Sequence, residues 1–304
     1  MSSPDKETKR VTSWTFDEAC KRMEWTALPK SDILSVTSSN DVKVEVISEE
    51  SDLVVIGFID NQVPENVSSL DASLDSALTH LLKEQICSSQ ISSGSMPVGT
   101  CLPSFRKVGK DGSFVRYSML SLHSKDFSQV DASTIGASIA KLCHEEKKVS
   151  KCSVHFPMDF SLSDERMRDL SCAFYSGLYS DNRYRTGNNI KVLAPSLTSV
   201  TMFVSGTEID SLSKALSDGY SFAKGIFIAK DIVNAPHNVL NSLSLAETAK
   251  RIAESSGGTL ECEILDKDDC ERLGMGAYLA VARGSETPPQ FIHMTYRPKE
   301  GEVK

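Results

Sequence analysis

The sequence predicts an α/β protein with a mostly parallel sheet, and three observations support this fold class. Two patterns typical of strands recur along the chain, namely continuous apolar runs and apolar residues at every second position. Segments with apolar residues at helical spacing lie between them, so predicted strands and helices follow each other in turn. Strands separated by single helices favour βαβ units, because a parallel connection needs a crossover, usually a helix. With 304 residues, of which 40% are hydrophobic, the chain is long enough for two domains.

The first regular elements follow a polar N-terminal extension, residues 1–40, whose scattered aromatic residues could dock as a short helix. Alternation over 42–46 predicts a half-buried strand, and the continuous apolar run 52–58 predicts a central strand. Leucines and alanines at helical spacing predict a helix over 69–85. Its acidic residues come early and Lys83 comes late, as the helix dipole favours.

The same alternation continues to residue 206. It predicts strands over 115–122, 151–156, 189–194 and 200–204, and helices over 132–146 and 164–180. Together with the elements before them, these strands and helices define one α/β domain over residues 41–206.

A long helix is predicted next, over residues 208–234, within a connecting segment that we assign to 207–235. Its apolar residues cover more than one side, so the helix is expected to pack on more than one neighbour. Pro236 ends it, because proline disfavours helical geometry in the residue before it and cannot continue the hydrogen-bond pattern.

The last part of the chain, residues 236–304, contains two further helices and two further strands. Ser244 and Glu247 predict a capping box for the first helix, and Asp266 predicts the N-cap of the second. Strands are predicted over 260–265 and 288–298. One βαβ-like unit of this size cannot cover both faces of a parallel sheet, so the region is expected to be the start of a larger α/β domain.

Composition excludes several classes of protein. The net charge of -8 disfavours sequence-independent nucleic-acid binding, which needs clustered Lys and Arg. No apolar run is long enough to span a membrane, and the N-terminus lacks the apolar core of a secretory signal. The eight cysteines include no C-x-x-C pair, so we expect free, partly buried thiols and a cytoplasmic location.

No residue of the chain is assigned a catalytic, cofactor-binding or metal-binding role. The six histidines form no H-E-x-x-H or H-x-H pair, and His293, in an apolar strand, is expected to be a core histidine. Gly274–Gly276 follows a helix and lacks the third glycine of a dinucleotide loop, so a helix end is favoured. The serine-rich stretch Ser88–Ser95 is expected to be a surface loop.

Four short segments nevertheless carry a specific resemblance. They are Asp231–Leu240 (DIVNAPHNVL), Leu273–Ala282 (LGMGAYLAVA), Pro288–His293 (PPQFIH) and, upstream, Asp181–Tyr184 (DNRY). In order and spacing they are similar to segments of the leucyl (cytosol) aminopeptidase family, the M17 peptidases. From the residues alone, Asp181–Tyr184 is expected to cap and turn the chain after a helix, with a domain or subunit contact as the alternative.

The resemblance implies a macrodomain-like N-terminal domain, a connecting helix and the start of an M17-like catalytic domain. It implies that the parent protein hydrolyses N-terminal residues from peptides with two divalent metal ions, Mn²⁺ or Zn²⁺, as a homohexamer. In relatives the metal ligands lie in segments beyond the position of Lys304, so the 304-residue chain is expected to be a truncated, inactive portion that binds no catalytic metal.

Two alternatives stay open at this point. The chain could be a catalytically dead interaction or regulatory subunit of an aminopeptidase oligomer. Less favoured is a macrodomain-like binder of ADP-ribose or a related nucleotide, which rests on fold analogy. A phosphate cradle would need a glycine-rich loop before a helix, and the stretch from Val98 and Gly99 onward matches it poorly.

Overall fold

The computed structural model describes residues 24–39, 50–88, 96–108, 112, 114–123, 129–146, 148–206 and 208–298. The described residues form two compact units, one of residues 26–228 and a second that comprises residues 24–25 and those from 229 onward. The predicted strand over 42–46 and the aromatic residues of the N-terminal extension before Glu24 lie outside the described residues.

A six-stranded sheet forms the centre of the first unit. Its strands are β1 Leu34–Ser38, β2 Leu53–Ile59, β3 Phe105–Val108, β4 Phe114–His123, β5 Lys151–His155 and β6 Ser199–Val204, in the order β1-β6-β5-β2-β4-β3. All neighbouring pairs are parallel except β3 with β4. The predicted mostly parallel α/β sheet is therefore confirmed, and β2, at its centre, is buried on both faces as its apolar run predicted.

Helices cover the sheet from both sides. The helices of this unit are α1 Ser68–Ser73, α2 Ala77–Ser88, α3 Gln129–Glu145 and α4 Asp164–Gly177, followed by α5 Ile209–Asn234, which continues into the second unit. One hydrophobic cluster joins a face of the sheet to α3, α4 and α5, and another joins the opposite face to α1 and α2. Alternate residues of β2 contribute to the two clusters, because successive side chains of a strand point to opposite faces.

Helices α3 and α4 pack closely where the chain has a glycine. A Cβ atom at Gly136 would lie 2.1 Å from the carbonyl oxygen of Leu170. That distance is far below van der Waals contact, and the obstacle is backbone, which cannot rotate away. Glycine at this position therefore sets how close the two helices come.

Several elements of the first unit differ from prediction, and one of them is the antiparallel strand β3, which was not predicted. Residues 34–38, predicted as irregular, form the edge strand β1, which Tyr175 anchors by accepting a hydrogen bond from the Leu34 amide at 3.3 Å. The predicted helix over 69–85 is two helices, because Asp75 and Ser76 have left-handed φ values of 55° and 59°. Asp71 stabilises this break by accepting hydrogen bonds from the start of α2.

The predicted strand over 189–194 is wrong. A 3-10 turn at Gly187–Asn189 precedes irregular chain, and Ile190 and Val192 are exposed. The Asn182 side chain donates to the Lys191 carbonyl at 2.7 Å and accepts from its amide at 2.9 Å. The backbone N–H and C=O of Lys191, which a sheet would pair, are therefore bound by a side chain.

The second unit is small. After the end of α5 it contains α6 Ser242–Ser255, β7 Leu260–Leu265, α7 Lys267–Arg272, α8 Gly276–Ala282 and β8 Phe291–Tyr296. Strands β7 and β8 pair antiparallel, so the predicted βαβ-like unit is wrong although both strands are present.

The helix caps of the second unit agree with prediction at one place and differ at another. Asp266 caps α7 as predicted, accepting a hydrogen bond from the Asp269 amide at 2.9 Å. The cap of α6 is Asn241, which forms the capping box with Ser244, so the predicted pair of Ser244 with Glu247 is wrong.

Candidate functional site

The strand order of the first unit creates a crevice at the carboxyl edge of its sheet. The chain leaves β2 towards α1 and α2 on one face, whereas it leaves the neighbouring β5 towards α4 on the opposite face. The two segments diverge, so a gap opens between the carboxyl ends of β2 and β5. Open α/β sheets bind ligands at such switch points.

The crevice has a volume of about 640 Å³. Its lining residues come from the last residue of β2 and from the segments that follow β2 and β5, and they are Ile59, Asp60, Gln62, Val63, Pro64, Glu65, Asn66, Pro157, Met158 and Asp159. Five of these side chains are apolar and three are carboxylates, while none is Lys or Arg. A concave surface lined by carboxylates favours a positively charged ligand.

Short side-chain contacts hold the two walls of the crevice in place. Asp60 and Asn61 have left-handed φ values of 50° and 57°, which turn the chain sharply after β2. Asn61 Oδ1 accepts a hydrogen bond from the Met96 amide at 3.2 Å. Asn66 Nδ2 donates to the Phe156 carbonyl at 3.2 Å and so joins the wall after β2 to the wall after β5, while Asn66 Oδ1 is buried without a partner.

His155, the last residue of β5, is 2% exposed. Its ring stacks on Phe203 with centroids 4.6 Å apart, and its Nε2 has no hydrogen-bond partner. Burial lowers the pKa of His155 to about 4. The side chain is therefore neutral near pH 7 and belongs to the core, which matters for stability at low pH.

The segment Asp181–Tyr184 has a structural role in the turn after α4. The Arg183 guanidinium donates to both carboxylate oxygens of Asp181, at 3.0 and 2.8 Å, and lies over the Tyr184 ring at 5.1 Å. The hydrogen bond from Arg183 is the main cause of a lowered pKa of Asp181. The predicted turn role is confirmed.

The other segments that carried the resemblance lie at or after the end of α5. Asp231 is fully buried in the last turns of α5, and the amides of Val239 and Leu240 both donate to the Pro236 carbonyl, forming the turn that follows. Ser242 Oγ donates to the Pro288 carbonyl at 2.6 Å, which fastens the start of α6 to the approach to β8. In these segments the described contacts form a turn and join two parts of the backbone.

The structure places His293 differently from the prediction of a core histidine. It is exposed on β8 and lies 3.5 Å from the Glu263 carboxylate on β7.

Among the described residues no three His, Cys, Asp or Glu side chains are grouped as metal ligands would be. Of the cysteines, Cys143, Cys152 and Cys270 are buried free thiols, and Cys87 is exposed.

The sequence did not single out the crevice residues. A usable signal was present, because acidic residues follow two apolar strands, Asp60 after β2 and Asp159 a few residues after β5. Only the strand order shows that these two ends are neighbours.

Within the described ranges, no helix has the length and apolar character needed to cross a membrane.

Comparisons with known proteins define the family. The model of the "Cytosol aminopeptidase family, catalytic domain" matches residues 227–304. A probable cytosol aminopeptidase of Synechocystis is 30% identical over 254 residues, covering 82% of this chain and 48% of the relative. Leucine aminopeptidase 1 of Arabidopsis thaliana is 28% identical over 273 residues, covering 86% of this chain and 49% of the relative.

A solved structure agrees with these relatives. A point mutant of tomato leucine aminopeptidase superimposes with a TM-score of 0.71 at 25% identity, covering 92% of this chain and 54% of that one. The fold is therefore that of an α/β aminopeptidase. The chain belongs to the cytosol aminopeptidase (M17) family and corresponds to its N-terminal portion. It spans about half the length of the curated relatives it matches over most of its length.

Proposed function

We propose that the chain is the N-terminal part of a leucyl-aminopeptidase-like metallo-exopeptidase that releases N-terminal residues from peptides. The observation that carries the proposal is the match of residues 227–304 to the aminopeptidase catalytic domain. The likeness of most of the chain to tomato leucine aminopeptidase supports it. We further propose that the whole protein is cytoplasmic and homohexameric and uses Mn²⁺ or Zn²⁺.

The parts of the chain have distinct proposed roles. Residues 41–206 form a macrodomain-like domain, 207–235 connect it to the next, and 236–304 begin the catalytic domain. The six-stranded sheet with helices on both faces is consistent with a macrodomain-like domain over residues 41–206. The continuous helix α5 is consistent with a connecting role for residues 207–235.

The described residues do not fit a two-metal centre, which needs several carboxylates converging on two ions. In the second unit Asp231 is buried inside α5, while Asp266 and Asp269 are engaged in the cap of α7. Asp269 is also paired with Arg272. We therefore propose that residues 1–304 hold no catalytic metal and contribute the frame on which the catalytic domain is built.

Aminopeptidase assays test this proposal. The native protein is expected to hydrolyse a leucine chromogenic substrate with Mn²⁺ or Zn²⁺. Residues 1–304 alone are expected to show none of that turnover, because the described residues include no group of carboxylates that could hold two metal ions. Metal-dependent turnover by 1–304 would refute the assignment of the chain as a non-catalytic portion. A native protein that is inactive, yet co-purifies with an active relative, would instead support the interaction-subunit alternative.

The nucleotide-binding alternative receives no support from the crevice. Asp60, Glu65 and Asp159 line it, and their negative charge opposes binding of a diphosphate. Gly99 has a φ of 78°, but its amide donates to the Ser121 carbonyl at 2.9 Å. The Gly99 amide is therefore used inside the fold.

A further inference from the structure

We propose that an exposed loop after α4 is a docking surface for a second copy of this chain. Its exposed side chains, which we call the basic patch, are Tyr184, Arg185, Ile190, Lys191 and Val192. A neighbouring copy is available in the homo-oligomer proposed above, and the choice of partner rests on that proposed function. Three features of the basic patch argue for this partner.

The first feature is the apolar surface that the loop presents. Val192 is 60% exposed, Ile190 49% and Tyr184 39%, all within nine residues of the chain. Single apolar side chains are common on protein surfaces, whereas a group of them marks an interaction site. Tyrosine and arginine beside aliphatic side chains are typical of the centre of a protein interface.

The second feature is the order of the loop. Asn182 binds both backbone groups of Lys191, at 2.7 and 2.9 Å, and Ser180 Oγ donates to the same carbonyl at 2.7 Å. The ion pair of Asp181 with Arg183 holds the start of the loop, and its side chains are only 13% and 7% exposed. A partner would therefore not have to order this segment, which lowers the cost of association.

The third feature is charge. Residues 182–207 contain Arg183, Arg185 and Lys191 and no acidic residue, although the whole chain has 41 acidic and 33 basic residues and a net charge of -8. Arg183 is paired with Asp181, whereas Arg185 and Lys191 are exposed on the patch. A basic surface on an acidic protein is complementary to the surface of another copy.

The same charges determine how the copies meet. Two basic patches facing each other would repel, so the patch of one copy contacts a different, acidic surface of its neighbour. Five side chains form less than the ~800 Å² per partner of a standard interface. The patch is therefore the centre of a larger contact, and association of the isolated chain is expected to be weak.

Sedimentation velocity of the 304-residue chain at rising concentration tests the proposal. We expect reversible self-association with a dissociation constant of ~10–100 µM. Raising NaCl from about 0.05 to about 0.5 M is expected to weaken this association at least ~3-fold, because salt screens exposed charges. Association through exposed apolar side chains of the second unit, such as Val281, would not weaken with salt.

Two pairs of matched variants locate the contact. Lys191→Glu reverses a charge on the patch and is expected to weaken association at least ~10-fold, whereas Lys83→Glu, an exposed control in α2, should leave it unchanged. Val192→Ser is expected to weaken association ~3- to 10-fold, whereas Val108→Ser, similarly exposed on β3, should leave it unchanged. All four positions are exposed, so the variants are expected to fold, which thermal melting checks.

Three outcomes would overturn the proposal. They are a chain that stays monomeric at every concentration, association that Lys191→Glu and Val192→Ser leave unchanged, and capture of a DNA duplex in place of a second copy. Sedimentation measures association of the isolated chain, whereas the aminopeptidase assay measures turnover by the native protein. Each can therefore fail while the other succeeds.

Discussion

Limited proteolysis of the 304-residue chain is expected to remove the second unit and to leave residues 26–228 intact. Among the described residues, all the large side chains that are less than 2% exposed lie in the first unit, whereas the buried apolar residues after residue 228 are Val239, three alanines and Cys270. The second unit has a two-stranded sheet, and such sheets are marginally stable alone. We expect cleavage after residue 228 at least ~10-fold faster than before it.

Exposed apolar side chains add to this expectation. Val281 is 83% exposed, Tyr296 61% and Leu273 56%, all within a short stretch of the second unit. A control digest of a fragment containing only residues 26–228 should show the same resistance and the same melting temperature as that region in the whole chain. Equal protection of both units would show that the second is stable without further chain.

Lowering the pH from 6.5 to 4 is expected to reduce the free energy of unfolding through His155. Burial lowers the pKa of His155 from 6.5 to about 4, so the folded chain keeps this ring neutral while the unfolded chain protonates it below about 6.5. The unfolded state then binds more protons, and stability falls as pH falls through this window. A shift of this size corresponds to about 3 kcal/mol.

Substitution of the histidine tests the assignment. His155→Phe keeps the ring stack with Phe203 and removes both the titration and the unpartnered Nε2. We expect this variant to lose most of the decrease between pH 6.5 and 4 in denaturant unfolding, whereas His80→Gln, an exposed control in α2, should retain it. An unchanged pH profile in His155→Phe would exclude His155 as the source.

A second group acts at lower pH, and its pKa is lowered by a different cause. The pKa of Asp181 is lowered, chiefly by the hydrogen bond from Arg183. Its contribution is fully present above the ordinary carboxyl pKa and is lost as pH falls through the lowered value. The two effects therefore occupy different pH windows, which allows the His155 effect to be measured by itself.

The sequence predicted those elements that are determined by a local pattern of residues, such as an apolar run or a capping residue. Strand β2 is buried on both faces and shows a continuous apolar run, and α5 is rich in apolar residues and ends just before Pro236. The cap of α7 was predictable because Asp266 is the N-cap residue directly before that helix. The cap of α6 was not, because Asn241 and Ser244 are both good cap residues and the structure uses Asn241 as the cap and Ser244 as its partner.

Other features depended on contacts between distant residues. Residues 189–194 alternate as a strand would, but the Asn182 side chain binds the Lys191 backbone, so no strand forms. The antiparallel pairing of β7 with β8 and the adjacency of β2 and β5 depend on topology, which local pattern does not encode. The crevice lies where β2 and β5 are neighbours in the sheet, so local sequence pattern alone could not predict it.

The intact mass of the native protein tests the central claim most directly. If the chain is the N-terminal half of an aminopeptidase, protein captured with an antibody against residues 26–228 should have about twice the mass of the 33.2 kDa chain, since the chain covers 54% of the tomato enzyme. A native mass of 33.2 kDa would contradict that account and place the interaction-subunit alternative first.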